Sequence, residues 1–110
     1  MNGPTTARWV KLAAVGELRE GTPLVKSVSG RDIALLAIGR VVHAFDNVCP
    51  HRRFSALHNG EVEDYTVTCP MHGWSFNIRT GESRSGEGRI TVFDVSVRGD
   101  DVCINMADLP

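Results

Sequence analysis

Apolar residues along this chain fall in short runs separated by turn-forming residues. RWVKLAAV (8–15), PLVKSV (23–28), DIALLAI (32–38), VVHAF (41–45), YTVTC (65–69), SFNI (75–78), ITVFDVSV (90–97) and DVCINM (101–106) are rich in branched and aromatic side chains, the composition of pleated, half-buried strands. The breaks between runs carry turn residues: S-G-R-D (29–32), G-R (39–40), H-N-G (58–60), R-T-G-E (79–82) and R-G-D-D (98–101). The pattern predicts an all-β chain of short antiparallel strands in a small sandwich or barrel. In ITVFDVSV, Phe93, Val95 and Val97 share one face and Val92, Asp94 and Ser96 the other, so one long strand with a core face and a wet face is expected. GELREGTP (16–23) is too short and too glycine-bounded for a stable helix and is expected to be a turn and loop. RTGESRSGEGR (79–89) reads as a polar surface loop.

Length and charge narrow the function classes. A chain of 110 residues with 42% hydrophobic content is one domain, able to bury about two-thirds of its unfolded surface, with no room for a separate catalytic domain. A formal net charge of −1 leaves no footprint for nucleic acid and no attraction to a membrane surface. The opening MNGPTTARWV has neither an apolar signal core nor a leading basic region, and no later run approaches a membrane span. A cytoplasmic protein is the expectation, and three cysteines, two of them in the metal-ligand pattern taken up next, suit a reducing compartment.

The chemistry is concentrated in C49-P-H51 and C69-P-M-H72, which lie seventeen residues apart. Each pairs one thiol with one imidazole inside a single loop. Structural zinc sites usually pair like ligands, as C-x2–4-C and H-x3–5-H, whereas here unlike ligands alternate. That alternation is the ligand pattern of a mixed His/Cys [2Fe–2S] cluster, in which two imidazoles replace two thiolates on one iron. Two ferric ions, two sulfides and two thiolates sum to zero formal charge, so an incoming electron meets a neutral centre and reduction is eased. Pro50 and Pro70 directly follow the cysteines and stiffen each turn. Gly73 follows the second histidine, where close backbone approach to the cluster is expected.

Residues 47–82, NVCPHRRFSALHNGEVEDYTVTCPMHGWSFNIRTGE, resemble the cluster-binding subdomain of Rieske proteins, and the flanking strands resemble the base domain of small Rieske-type ferredoxins. The resemblance covers nearly the whole chain. It implies a single Rieske domain over 1–110, with a cluster-binding subdomain at about 46–77 inserted in the base domain. It also implies one [2Fe–2S] cluster, with Cys49 and Cys69 on one iron and His51 and His72 on the other. Arg53 departs from the family, where a small residue is common; no ligand is affected. Respiratory Rieske proteins carry an extra cysteine in each loop, forming a disulfide, where this chain has Phe54 and Met71. High-potential relatives have Ser and Tyr hydroxyls directed at the cluster where this chain has Trp74 and Phe76. The resemblance therefore implies the low end of a family range of roughly −150 to +300 mV.

In the family the ligand histidines lie at an exposed tip, which makes His51, Arg52, Arg53, Phe54 and His72 the expected docking surface. Pro50, Pro70, Gly73 and Trp74 form the expected surround of the cluster, Trp74 as a packing residue. The implied function is one-electron transfer by a monomer, from a flavin-dependent ferredoxin reductase to a terminal Rieske-type oxygenase, both transient partners. The alternative is a Rieske small subunit of a larger reductase, such as an assimilatory nitrite reductase. An oxygenase in its own right needs a further iron held by two histidines and a carboxylate, and only His43 and His58 remain, on separate segments; both are expected to be surface or satisfied polar side chains. Cys103 alternates with Val102, Ile104 and Met106, so its thiol is expected to point away from the apolar face and be inert.

Overall fold

DIALLAI has no polar alternation, and the fold shows why. The computed structural model of the protein describes residues 7–49, 54–55, 57–70, 73–84 and 88–107. The central sheet runs β10 (Val92–Phe93), β4 (Val41–Asp46), β3 (Arg31–Ile38), β2 (Leu24–Val28), all antiparallel. Both of its faces are covered. Ile33, Leu35 and Ala44 point to one core with Ala13, Val102, Ile104 and Met106. Their neighbours Ala34, Leu36 and Phe45 point to a second core with Leu57, Val67, Cys69, Phe76, Ile78 and Ile90.

The first core is closed by a three-stranded sheet, ordered β1 (Trp9–Ala14), β12 (Asp101–Asn105), β11 (Val95–Arg98). The second is closed by β7 (Glu61–Glu63), β8 (Thr66–Thr68) and β9 (Ser75–Asn77), in that order. A two-stranded ribbon, β5 (Val48–Cys49) with β6 (Phe54–Ser55), completes the described strands. Among the described residues there is no α-helix, only short 3-10 turns at Val15–Glu17 and Leu57–Asn59. Nor is any described helix long and apolar enough to cross a membrane. The all-β antiparallel architecture is the one expected from the sequence, and 16–23 is non-α-helical as expected.

Turn chemistry sets the registers. Ser29 and Gly30 have φ of 51° and 78°, and Gly39 and Arg40 have φ of 57° and 73°. Two successive left-handed residues match the right-handed twist of paired strands, and they lock Val28 opposite Arg31 and Ile38 opposite Val41.

One expected element is two. The run 90–97 does not form a single strand: β10 pairs with β4 in the central sheet, whereas β11 pairs with β12 in the other. The chain changes sheets at Asp94, whose carbonyl accepts from the Asn105 N–H at 3.0 Å. The core-and-wet division fails with it, because Val92 packs on the second core, Phe93 and Val95 pack on the first, and Val97 is 48% exposed. Cys103 lies outside the first core's apolar set, opposite Lys11 and Ser96, yet it is buried.

Candidate metal centre

The chain enters the first Cys–His loop from the end of β4, and this departure point is heavily tied down. The Asp46 carboxylate accepts from Arg31 Nη2 at 2.9 Å and from the Val48 N–H at 3.1 Å. The Asp46 and Asn47 N–H groups donate to the carbonyls of Thr91 and Asp32. Cys49 then pairs with Phe54 across the β5–β6 ribbon. The ribbon's connection carries Pro50, His51, Arg52 and Arg53, which lie outside the described residues, as do Met71 and His72 in the second loop.

The chain returns through the 3-10 turn at Leu57–Asn59. Leu57 plugs the second core, its N–H donating to the Asn47 carbonyl at 3.1 Å. The His58 N–H donates to Asn47 Oδ1 at 2.7 Å, and Asn47 Nδ2 lies 2.9 Å from His58 Nδ1. His58 is therefore a satisfied polar side chain, as expected.

The second loop is a tight turn between β8 and β9. The Cys69 N–H donates to the Trp74 carbonyl at 2.7 Å, and the Gly73 N–H donates back to the Cys69 carbonyl at 3.0 Å. Cys69 is 1% exposed, uncrosslinked, and packed among Leu57, Val67 and Phe76. Gly73 has φ of +74°, and a Cβ there would meet nothing within 4 Å. Glycine is thus required by backbone conformation and not by crowding, and its N–H serves the turn. Pro70 is exposed, and Trp74 is half-buried against the second core, the packing role expected of it.

The two loops converge at Gly60. Its N–H donates to the Leu57 carbonyl at 2.9 Å, and its Cα faces the Thr68 carbonyl, one residue before Cys69. The closing end of the first loop and the opening end of the second are one packed unit. This arrangement suits a mixed-ligand iron–sulfur cluster. A buried cysteine whose own amide and carbonyl are engaged in a closed turn leaves its sulfur as a donor, and the donor set of two thiols and two imidazoles is of the right softness.

Sequence reasoning missed an aromatic brace behind this unit. Asp64 and Tyr65, with φ of 50° and 58°, form the β7–β8 turn without glycine or asparagine, an uncommon conformation for a bulky residue. The Arg79 guanidinium lies 3.5 Å from the Tyr65 ring centroid, and the His43 ring meets Tyr65 edge-on at 5.5 Å. His43 is not a surface group: it is half-buried, and its Nε2 has no hydrogen-bond partner among the described residues. Burial holds its imidazole below the usual value of 6.5, and the Arg79 cation adds to the effect. The unfolded chain therefore takes up this proton before the folded one does, so stability is full above pH 6.5 and falls as pH drops towards the depressed folded value. In His43→Phe, the decline in melting temperature between neutral pH and pH ~5 is expected to be shallower than in the parent; an unchanged slope would assign that decline to other groups.

An all-β protein in which the described ends of two Cys–His-bearing stretches pack together, with Cys69 in a closed turn, has the build of a small iron–sulfur electron-transfer protein. A Rieske [2Fe-2S] domain profile matches residues 8–94, and the chain belongs to that family; such a domain carries one Rieske-type [2Fe–2S] cluster. It is 36% identical over 81 residues to the anthranilate 1,2-dioxygenase ferredoxin subunit of Burkholderia cepacia, covering 74% of each chain. It is 28% identical over 104 residues to the naphthalene 1,2-dioxygenase ferredoxin component of Pseudomonas aeruginosa, covering 93% of this chain and 99% of that one. Among solved structures it superposes on the ferredoxin in a complex of reduced oxygenase and oxidized ferredoxin of carbazole 1,9a-dioxygenase. There the TM-score is 0.79 at 28% identity, over 88% of this chain and 92% of that one. A nitrite reductase small subunit from Mycobacterium tuberculosis shares the fold, with TM-score 0.82 at 20% identity, over 91% and 96% of the chains.

Proposed function

We propose that this protein is a freely diffusing one-electron carrier, the ferredoxin component of a ring-hydroxylating oxygenase system. It takes electrons from a flavin-dependent reductase and delivers them to a terminal oxygenase. The observation that carries this reading is the convergence of the two loop ends around buried Cys69 in a chain whose relatives are ferredoxin components. Cys49 and Cys69 hold one iron, and His51 and His72 the other. When bound, the cluster supplies reversible one-electron chemistry without making or breaking a bond in the protein.

The protein's own part is positional. Burial of Cys69 keeps water from that donor, and Phe76, fully buried two positions beyond Trp74, presents no hydroxyl to a thiolate or sulfide. With Trp74 equally unable to donate a hydroxyl, the reduced state lacks two stabilising hydrogen bonds, and the potential belongs at the low end of the family range of roughly −150 to +300 mV. The domain spans the chain, its cluster-binding part at about 46–77. His51, Arg52, Arg53, Phe54 and His72 form the docking tip, where complementary charge acts mainly on association rate. The site of action is the cytoplasm, and the carrier is monomeric.

Reconstitution tests this reading. NADH oxidation by a flavoprotein ferredoxin reductase is expected to drive substrate hydroxylation by an aromatic-ring dioxygenase only when this protein is added, and voltammetry of the same preparation to give a low-end potential. Isolation solely as a stoichiometric subunit of a larger reductase, with no transfer to any oxygenase, would replace the proposal with the nitrite-reductase-type reading.

A further inference from the structure

Among the described residues, Asn47 is the polar side chain that the fold buries completely, at 0% exposure. Its carbonyl takes the Leu57 N–H, its Oδ1 takes the His58 N–H, and its Nδ2 meets His58 Nδ1. The orientation of the amide is fixed by its partners. A backbone N–H can only donate, so the atom facing it is Oδ1; the Nδ2 donor then faces the ring, with Nδ1 as its acceptor.

Three bonds from one residue thus join position 47 to positions 57 and 58, and residues 48–57 hang between them as a closed loop. That loop contains Cys49 and His51. Apart from the clasp, its described ties are the β5–β6 ribbon, two residues on each arm, the Val48 N–H on the Asp46 carboxylate at one end and Leu57 in the second core at the other; a ribbon that short does not hold itself closed in water.

We infer that Asn47 and His58 are positioning residues for the metal-bearing loop: the Asn47–His58 clasp fixes the spacing of the loop's two ends and so presents Cys49 and His51 to the iron in a single geometry. The inference rests on the ligand assignment made above. It concerns how firmly the metal is held, and neither clasp residue touches the metal or the transferred electron.

The test is the rate at which the holoprotein loses iron to a high-affinity chelator, followed by loss of visible absorbance, in chains that keep all four proposed ligands. Asn47→Ala strands a half-buried N–H and a ring nitrogen, and His58→Leu strands the Asn47 amide, so each is expected to lose iron about tenfold faster than the parent or more. His58→Asn places an acceptor oxygen where Nδ1 stood and is expected to remain within about threefold of the parent. Ile33→Val, in the opposite core, serves as a purely destabilising control, with all variants compared at the same interval below their own melting temperatures. Should Asn47→Ala fail to fold, the half-buried His58 pair carries the test alone. Asn47→Ala or His58→Leu losing iron no faster than Ile33→Val, or His58→Asn behaving as His58→Leu does, would overturn the inference. The ligand assignment is judged separately, on whether His51→Ala and His72→Ala abolish the cluster spectrum while Asn47 is intact.

Discussion

Cys69→Ala protein is expected to fold but to emerge from expression without the red-brown colour of the parent. Its iron and acid-labile sulfide should fall below about a tenth of the parent values, because one of four bonds that define the site is gone and metal binding to a preformed site is all-or-none in character. The substitution is well placed for a clean reading. The thiol is 1% exposed and packs in the second core, alanine is smaller, and the turn is held by backbone bonds to Trp74 and Gly73 that alanine retains. Melting should therefore report a modest cavity cost while the cofactor is lost entirely. Cys103→Ala is the internal control: it too is buried and uncrosslinked, but it lies on the sheet at the far side of the molecule from the loops, and its protein should be fully coloured. An intact cluster spectrum in Cys69→Ala, or a colourless parent that holds zinc, would refute the proposed centre.

Gly60→Ala is expected to be among the most damaging single-methyl changes in the fold. A Cβ at this position would run into the Thr68 carbonyl, with its carbon at 2.9 Å and the Leu57 carbonyl at 3.2 Å. These are backbone atoms that no rotamer change can move. Relief requires shifting either the 3-10 turn that closes the first loop or the end of β8 that begins the second. A cost of about 3 kcal/mol or more follows, a fall in melting temperature of about 10 °C or more for a domain of this size, accompanied by weakened cluster retention. Gly16→Ala, where a Cβ meets nothing within 4 Å, should change stability by less than about 0.5 kcal/mol. Equal melting temperatures for the two variants would show that the loops are not packed as described.

What the sequence made legible was local. Ligand identity and spacing are confined to two short stretches, and the S-G and G-R turns declare their backbone conformations through their residue types. Contributions that depend on distant pairing were not visible. The run 90–97 alternates as one strand would, and nothing in it marks Asp94 as the point where the chain leaves one sheet for another, because that is decided by Asn105 on β12. Glu61–Glu63 has a single apolar residue and gave no strand signal; it is a strand because Thr66–Thr68 pairs with it. The Asp64–Tyr65 turn lacks the glycine or asparagine that usually announces it, its tyrosine being held by Arg79 and His43 from elsewhere in the chain. Asn47 looks like any loop asparagine until His58 is seen beside it; an asparagine between an apolar strand and a ligand cysteine was the signal available.

The doubly covered sheet poses an alignment problem that polarity cannot solve. With apolar side chains on consecutive positions of β3, sliding the strand by one residue against β4 would still bury oily groups on both sides. Size does the discriminating. Ala34 stands opposite Phe45 and Leu35 opposite Ala44, each large group facing a small one, and a slip would set Leu35 against Phe45 and leave a void where Leu35 had been. The chain's choice of register is thus written in volumes, so that exchanging Ala34 and Leu35 in sequence, with hydropathy unchanged, alters which strand alignment the protein can adopt.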